Sequence, residues 1–444
     1  MSNFALNSLL LNPLFGDETM QRIFSDAHFL TQMVQMERAL AQVQGTLGVI
    51  PAEAAAAINS ALPAFVPDWP QLQAGIERAG VPVPELVRQL RQHVGGEAAT
   101  YVHWGATTQD VMDTAVILQI RQALTELENV LQQTITQLAA LADRQRHTLM
   151  VGRTHSQQAL PITFGYKVAC WLAPLLRHRQ RLQELKPRLL VLQFGGAVGT
   201  LAALGERGTA VQQALAASLG LQVPPIPWHT QRDNLAECAG WLALLCGSLA
   251  KMAQDIILLA QSEVGELRET ADAARGGSST MPQKSNPIIS EGIIALARAN
   301  ASLLAAMHQA QIQEHERGTH GWQLEWLTLP TMFVYTAAAL RKSHFLSHHL
   351  VVDEDKMRQN VAASNGLMLA EPISLALSQQ LGRDAAKALV KEACQAAAAQ
   401  NRHLVEVVRE KTSVSLDWEK IGSEANYLGV VQAFIDRIVE GSVV

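Results

Sequence analysis

The sequence predicts an all-α chain built around a bundle of long helices. Three observations carry this. Alanine and leucine dominate a composition that is 48% hydrophobic, 5% aromatic and 17% charged, and both residues favour helix. Long segments lack glycine and proline and repeat their apolar residues at helical intervals. No stretch shows the two-residue alternation of a half-buried strand.

Up to about Gly105, short helical stretches alternate with loops, punctuated by Pro51, Pro63, Pro67, Pro70 and the Val81-Pro82-Val83-Pro84 break. Within this region residues 27–47 have helical spacing, with Leu30, Met33, Val34, Met36, Leu40 and Val43 mostly on one side. Residues 109–147 contain neither glycine nor proline and read as one long helix. Residues 162–193 read as helix interrupted at Pro174 and Pro187. Residues 233–268 are apolar on nearly all sides, which suits the centre of a multi-chain bundle. Residues 287–313 form another helix rich in Ala, Ile and Leu. After about Leu350 the chain turns polar, and Asp353-Glu354-Asp355-Lys356 opens a set of shorter helices. The expected organisation has three domains: a mixed helical region 1–108, a central long-helix bundle 109–350 and a small helical domain 351–444.

Composition also excludes some function classes. A net charge of -5 and a pI near 6.3 supply no basic field for nucleic acid or an acidic membrane. Cys170, Cys238, Cys246 and Cys394 form no CxxC pair and sit in apolar or Ala-rich segments, as reduced cytosolic thiols do. Met1–Ala5 has no basic residue, so no secretory signal is expected and the cytoplasm is the expected location. The uncharged run Cys238–Ala250 lies between Glu237 and Lys251, short of the roughly 20 residues of a membrane helix.

The most informative segment is Gly276-Gly277-Ser278-Ser279-Thr280-Met281-Pro282-Gln283-Lys284-Ser285-Asn286-Pro287, with Glu291 after it. The glycines free the backbone around Ser278 and Ser279. Asn286 and Pro287 are a helix start, with Asn as N-cap and Pro at the first helical position. Lys284 and free helix N–H groups would together make an anion site suited to a carboxylate. A serine beside it could move a proton next to that carboxylate. The plain alternative is an ordinary Gly-Ser loop capping a helix. His103 and His155 lie beside Thr and Gly in loops preceding long helices, where polar side chains can face a cleft, although a lone histidine is more often structural than catalytic. Arg153 could pair with a substrate carboxylate or form an interhelix salt bridge.

Other patterns carry less. Phe194-Gly195-Gly196-Ala197-Val198-Gly199 lacks GxGxxG spacing and reads as a tight turn. No P-loop or GxSxG elbow is present. His344 and His348 have metal-pair spacing without an HExxH motif. Trp322, Trp326 and Phe333 read as core.

The serine segment resembles the signature of the fumarase/aspartase superfamily, at Gly277, Ser278, Ser279, Met281, Pro282, Lys284, Asn286, Pro287 and Glu291. Val102-His103-Trp104-Gly105-Ala106-Thr107-Thr108-Gln109-Asp110 resembles that family's first shared region, and Gly152-Arg153-Thr154-His155-Ser156-Gln157 its second. The resemblance implies three domains, a homotetramer, and active sites that each draw the three regions from three different chains. It implies elimination or addition next to a carboxylate, through an aci-carboxylate intermediate.

Within the superfamily, Leu11-Asn12-Pro13-Leu14-Phe15-Gly16-Asp17, Gln231-Arg232-Asp233 and the Gly321-Trp322-Gln323 stretch resemble the carboxymuconate cycloisomerases. The adenylosuccinate lyases fit less well. Their second histidine after Thr-His is replaced here by Ser156-Gln157-Gln158, and their phosphate-binding serine-rich stretch by Gly318–Trp326. The resemblance implies lactonisation of 3-carboxy-cis,cis-muconate, a small tricarboxylate, with no metal or organic cofactor. It makes Ser278 the proton-transferring residue. Lys284 and Asn286 would hold the carboxylate that becomes the aci form, and His155, oriented by Glu291, the ring-closing carboxylate. His103, Thr107, Thr108, Arg153, Thr154, Arg232 and Ser279 are the remaining candidate ligands. A non-catalytic structural relative is the alternative of another class.

Overall fold

The computed structural model describes residues 4–442, apart from residues 271, 273, 274, 278, 279 and 282. Helices dominate it. Helix α1 (Asp26–Thr46) starts where Ser25 Oγ accepts the His28 N–H, a serine N-cap. It buries Leu30, Met33, Met36, Leu40 and Val43, the stripe read from the sequence. Helix α2 (Val83–Val94) begins inside the Val-Pro-Val-Pro break, because proline is tolerated in a first helical turn. Helix α3 (Thr108–Arg144) is the long glycine- and proline-free segment.

The expectation of no strands is corrected by two short ladders. β1 (Leu149–Thr154) and β2 (Gln157–Thr163) form an antiparallel hairpin. A register shift between Val151 and Arg153 breaks the two-residue period, which hides the hairpin from pattern reading. Helix α4 (Phe164–Leu189) follows and runs through both Pro174 and Pro187, a second correction.

Helix α5 (Asp233–Leu259) is followed by the short strand β3 (Leu267–Arg268) and helix α6 (Ile288–Ala310). Helix α7 (His320–His349) contains Pro330. Strand β4 (Val351–Val352) pairs antiparallel with β3. The tail packs three helices, α8 (Ala370–Leu381), α9 (Arg383–Gln400) and α10 (Leu404–Lys411). They share a core of Ile373, Leu377, Ala386, Val390, Leu404 and Val408.

Two compact units result. The first comprises Met1–Asn129, Arg179–Cys246 and Leu296–Ala339, the second Val130–His178, Gly247–Ala295 and Leu340–Val444. Helices α3 to α7 each give one stretch to each unit.

Helices α5 and α6 are long and apolar enough to cross a membrane by length and composition, with mean hydropathies of 1.6 and 1.4. This corrects the expectation drawn from the uncharged run alone. Only 44% and 33% of those apolar windows is buried inside the chain. Leu244 and Leu258 of α5 and Ile288 of α6 stay exposed.

Inside the first unit three charges meet. Arg232 is 3% exposed. Its Nη1 donates to Asp113 Oδ2 at 2.7 Å, and its Nε donates to Glu325 Oε1 at 2.8 Å. Its Nη2 bridges Asp113 Oδ1 at 3.0 Å and Glu325 Oε2 at 2.5 Å. Trp322 Nε1 donates to Asp113 Oδ1 at 2.9 Å, and the guanidinium lies 4.7 Å from the Trp228 ring centroid. Arg232, expected as a candidate ligand, sits in the core with both faces of its fork taken by protein carboxylates. Breaking a buried ion cluster leaves uncompensated charge. Arg232→Ala should cost about 3–5 kcal/mol of stability, read by urea unfolding; a loss below about 1 kcal/mol, typical of an exposed pair, would refute the assignment.

Candidate active site

The first unit presents the turn before α3. His103 has φ +67°, a left-handed backbone that costs a non-glycine residue on the order of 1–3 kcal/mol. Three side chains hold it there. Gln44 Nε2 donates to the Trp104 carbonyl at 2.8 Å, and Arg91 Nη2 to the Val102 carbonyl at 3.0 Å. Glu37 Oε1 lies 2.5 Å from His103 Nδ1. Glu37 and Gln44 are two turns apart on α1 and share one face. Burial opposes a charge on His103, but the Glu37 carboxylate and its hydrogen bond outweigh it and raise the imidazole above its ordinary value.

Seven residues after His103, Asp110 anchors the start of α3, whose first residue is Thr108. Asp110 is fully buried. Its Oδ1 accepts from His229 Nε2 at 2.7 Å, the Gly195 N–H at 2.9 Å and Gln193 Nε2 at 3.2 Å. Its Oδ2 accepts from the Gly196 N–H at 2.9 Å and the Thr107 N–H at 3.1 Å. Gly196 has φ +71°, and a Cβ there would sit 3.2 Å from the Gly105 carbonyl oxygen, so the turn requires glycine. Thr107 Oγ1 accepts from Arg317 Nη1 at 2.6 Å, and Arg317 Nε donates to Gln109 Oε1 at 3.0 Å. Arg317 was not among the expected site residues; its signal was the His315-Glu316-Arg317 run.

The second unit holds the other two regions. His155 (φ +49°) and Ser156 (φ +60°) form the exposed tip of the β1–β2 hairpin, with exposed Thr154 beside them. His155 thus stands on a hairpin, not in a loop before a helix. Of the two expectations for Arg153, the structure shows the salt bridge. The arginine grips the buried Glu266 with Nη1–Oε2 at 3.0 Å and Nη2–Oε1 at 2.7 Å, and Asn360 Nδ2 donates to the same Oε1 at 2.8 Å.

The base of the serine loop is closed by the Asn286 N–H donating to the Gly276 carbonyl at 2.8 Å and by a bridge between Gly277 and Ser285. Gly276 has φ +74°, and a Cβ would fall 2.3 Å from the Asn286 carbonyl oxygen. The Arg275 guanidinium stacks 4.5 Å from the Phe345 ring centroid. Ser278 and Ser279 lie outside the described residues. Lys284 and Glu291 are exposed and Asn286 is half-buried.

The expected free N–H groups at the start of α6 are already occupied. Buried Glu269 accepts from the Ile289 N–H at 3.0 Å and the Ser290 N–H at 2.6 Å. A carboxylate suits a helix N-terminus whatever its source, and this one comes from about twenty residues upstream, beyond any local capping signal. Among the described residues no hydrogen bond or ion pair joins His155 to Lys284, Asn286 or Glu291. Among them, too, no three His, Cys, Asp or Glu side chains gather as a metal-binding group.

Residues 12–299 match the family model described as lyase. The chain is a member of the fumarase/aspartase lyase family. Residues 366–438 match the model described as adenylosuccinate lyase C-terminus. The chain is 44% identical to 3-carboxy-cis,cis-muconate cycloisomerase of Pseudomonas aeruginosa, over 98% of this chain and 97% of that one. It is 41% identical to trans-aconitate decarboxylase 1 of Mycosarcoma maydis, over 97% of this chain and 88% of that one. The crystal structure of 3-carboxy-cis,cis-muconate lactonizing enzyme from Pseudomonas putida superposes with a TM-score of 0.92 at 42% identity, covering 98% of this chain and 99% of that one.

Two predictions follow from this geometry. Glu269→Ala should cost about 1–2 kcal/mol by uncapping α6; unchanged urea unfolding would rule the cap out as a stabiliser. The raised His103 makes the Glu37 pair's stabilisation complete below the unfolded value near pH ~6.5, and lost as pH rises through the higher folded value. The stability gap between wild type and Glu37→Gln should accordingly shrink as pH rises above about 6.5; a gap that widens with pH contradicts the assignment.

Proposed function

We propose that this lyase-family chain cyclises 3-carboxy-cis,cis-muconate to a carboxymuconolactone in the protocatechuate branch of aromatic catabolism. It does so as a soluble cytoplasmic homotetramer. The observation that carries the reading is the full-length 44% identity to the Pseudomonas aeruginosa cycloisomerase, joined to the intact Gly-Ser-Ser signature. The chain order of three domains, 1–108, 109–350 and 351–444, belongs to the same proposal. So does the sharing of each site among three chains. The apolar surface that α5 and α6 leave uncovered suits helices packed against other subunits.

One internal carboxylate oxygen of the substrate adds to a carbon of a double bond. The π electrons move toward the neighbouring carbon, and a second carboxylate takes up the charge as an aci form. Ser278 delivers a proton to that carbon, closing the balance, and serves as base in reverse. Lys284 and Asn286 hold the charge-accepting carboxylate. His155, with Glu291 of another chain, orients the ring-closing one. His103, Thr107 and Thr108 bind the remaining charge; Arg317, donating to Thr107, joins them in place of Arg153 and Arg232. Thr154 and Ser279 complete the set. Electrostatic stabilisation of the aci form supplies the main rate gain.

A second reading rests on the 41% identity to trans-aconitate decarboxylase 1, since aconitate is also an unsaturated tricarboxylate. An ultraviolet assay separates the two. Loss of the conjugated diene of 3-carboxy-cis,cis-muconate with aconitate and adenylosuccinate inert supports cycloisomerisation; carbon dioxide release from trans-aconitate with a silent muconate assay replaces it. Ser278→Ala should lower kcat by roughly 10²–10⁴-fold with unchanged circular dichroism, and near-normal turnover would remove Ser278 from the mechanism.

A further inference from the structure

The five buried carboxylates that organise the two units, Asp110, Asp113, Glu266, Glu269 and Glu325, each use both oxygens. Asp110 Oδ1 and Oδ2 take donors from the turn and the glycine loop. Asp113 and Glu325 each give both oxygens to Arg232 or its neighbours. Glu266 gives both to Arg153, and Glu269 both to α6. Glu37 differs. It is 2% exposed, its Oε1 meets His103 Nδ1 at 2.5 Å, and its Oε2 is buried without a hydrogen-bond partner. A carboxylate kept for packing would have both oxygens satisfied, because each unpaired buried polar atom is costly. One directed entirely at an imidazole instead fixes the ring and favours its charged form.

From this placement we propose that Glu37 is a positioning residue for substrate binding: it holds His103 in one ring orientation and keeps it cationic, so that Nε2–H meets a substrate carboxylate. The inference rests on the reading that the substrate is a small tricarboxylate bound in part by His103. Nδ1 is engaged by Glu37, so Nε2 is the ring nitrogen left for a ligand. The charged groups around the ring are Glu37 and Asp110, which favour the cation, and Arg91, which opposes it. Gln44 and Arg91 fix the carbonyls on either side of His103, so the turn keeps its shape when Glu37 is changed to glutamine. Neither Glu37 nor α1 belongs to the shared motif regions, so motif spacing alone does not point to it.

The test is steady-state kinetics of the intact protein with 3-carboxy-cis,cis-muconate from pH 5.5 to 8.5, for wild type, Glu37→Gln and Glu37→Asp. In wild type, KM should stay low to a higher pH than in Glu37→Gln. At pH 7.5 the Gln variant should show a KM raised by roughly three- to tenfold, with kcat within about threefold. The two enzymes should converge at the acid end, where His103 is protonated beside either neighbour, and Glu37→Asp should recover part of the loss. A KM–pH profile identical to wild type, or a fall in kcat alone, overturns the inference. If wild type does not turn over the muconate, the substrate reading has failed, and the inference is then judged by calorimetric binding of propane-1,2,3-tricarboxylate. Binding that weakens above neutral pH, and at lower pH in Glu37→Gln, upholds it. Binding that is absent, or equal in both proteins at every pH, overturns it.

Discussion

The geometry of the first unit depends on the Asp110 carboxylate. Buried carboxylates are unfavourable unless surrounded by donors, and Asp110 collects five, from Thr107, Gln193, Gly195, Gly196 and His229. One side chain thereby ties its own turn to two segments, 83 and 119 residues further along the chain. The turn that carries His103, Thr107 and Thr108 is fixed against the Gly195-Gly196 turn by this clamp. The strained backbone at His103 persists because Glu37, Gln44 and Arg91 over-determine it from two other helices.

The same strategy recurs. Glu266 receives Arg153 below the hairpin tip, and Glu269 receives the first N–H groups of α6 below the serine loop. Each acid satisfies a cation or helix end that the sequence alone offers as an anion site. Within the second unit the hairpin tip, with Thr154 and His155, and Lys284 stay exposed, while the arginine and the helix end beside them are already paired.

Most helices were legible because burial repeats along a helix with a period that the residues themselves display. Helix α3 spans the segment without glycine or proline, and α1 buries the stripe read from its spacing. Helices α4 and α7 defeated the local rule. A proline inside a helix costs about 3 kcal/mol. Yet Pro330 is flanked by Leu329, Met332 and Phe333, all buried, whose packing offsets that cost. The β1–β2 hairpin was invisible for the opposite reason: its bulge disrupts the alternation that announces a strand.

By itself the sequence determined the helical class and the extent of most long helices, and it singled out one candidate reactive segment, since Gly-Ser-Ser, Lys, Asn and Glu stand at set spacing in one short stretch. Tertiary structure decided which charges are free. The partner of Arg232 on α7 lies 93 residues away, that of Arg153 lies 113 away, and that of His103 lies 66 away. Electrostatic pairing depends on distance in space, and chain folding brings these acids in from helices α1 and α7 and, for Glu266, from the residue before β3, where local periodicity says nothing of the partner. A motif can therefore name an arginine or a helix end, but only the packed chain shows whether a carboxylate of the protein has already claimed it.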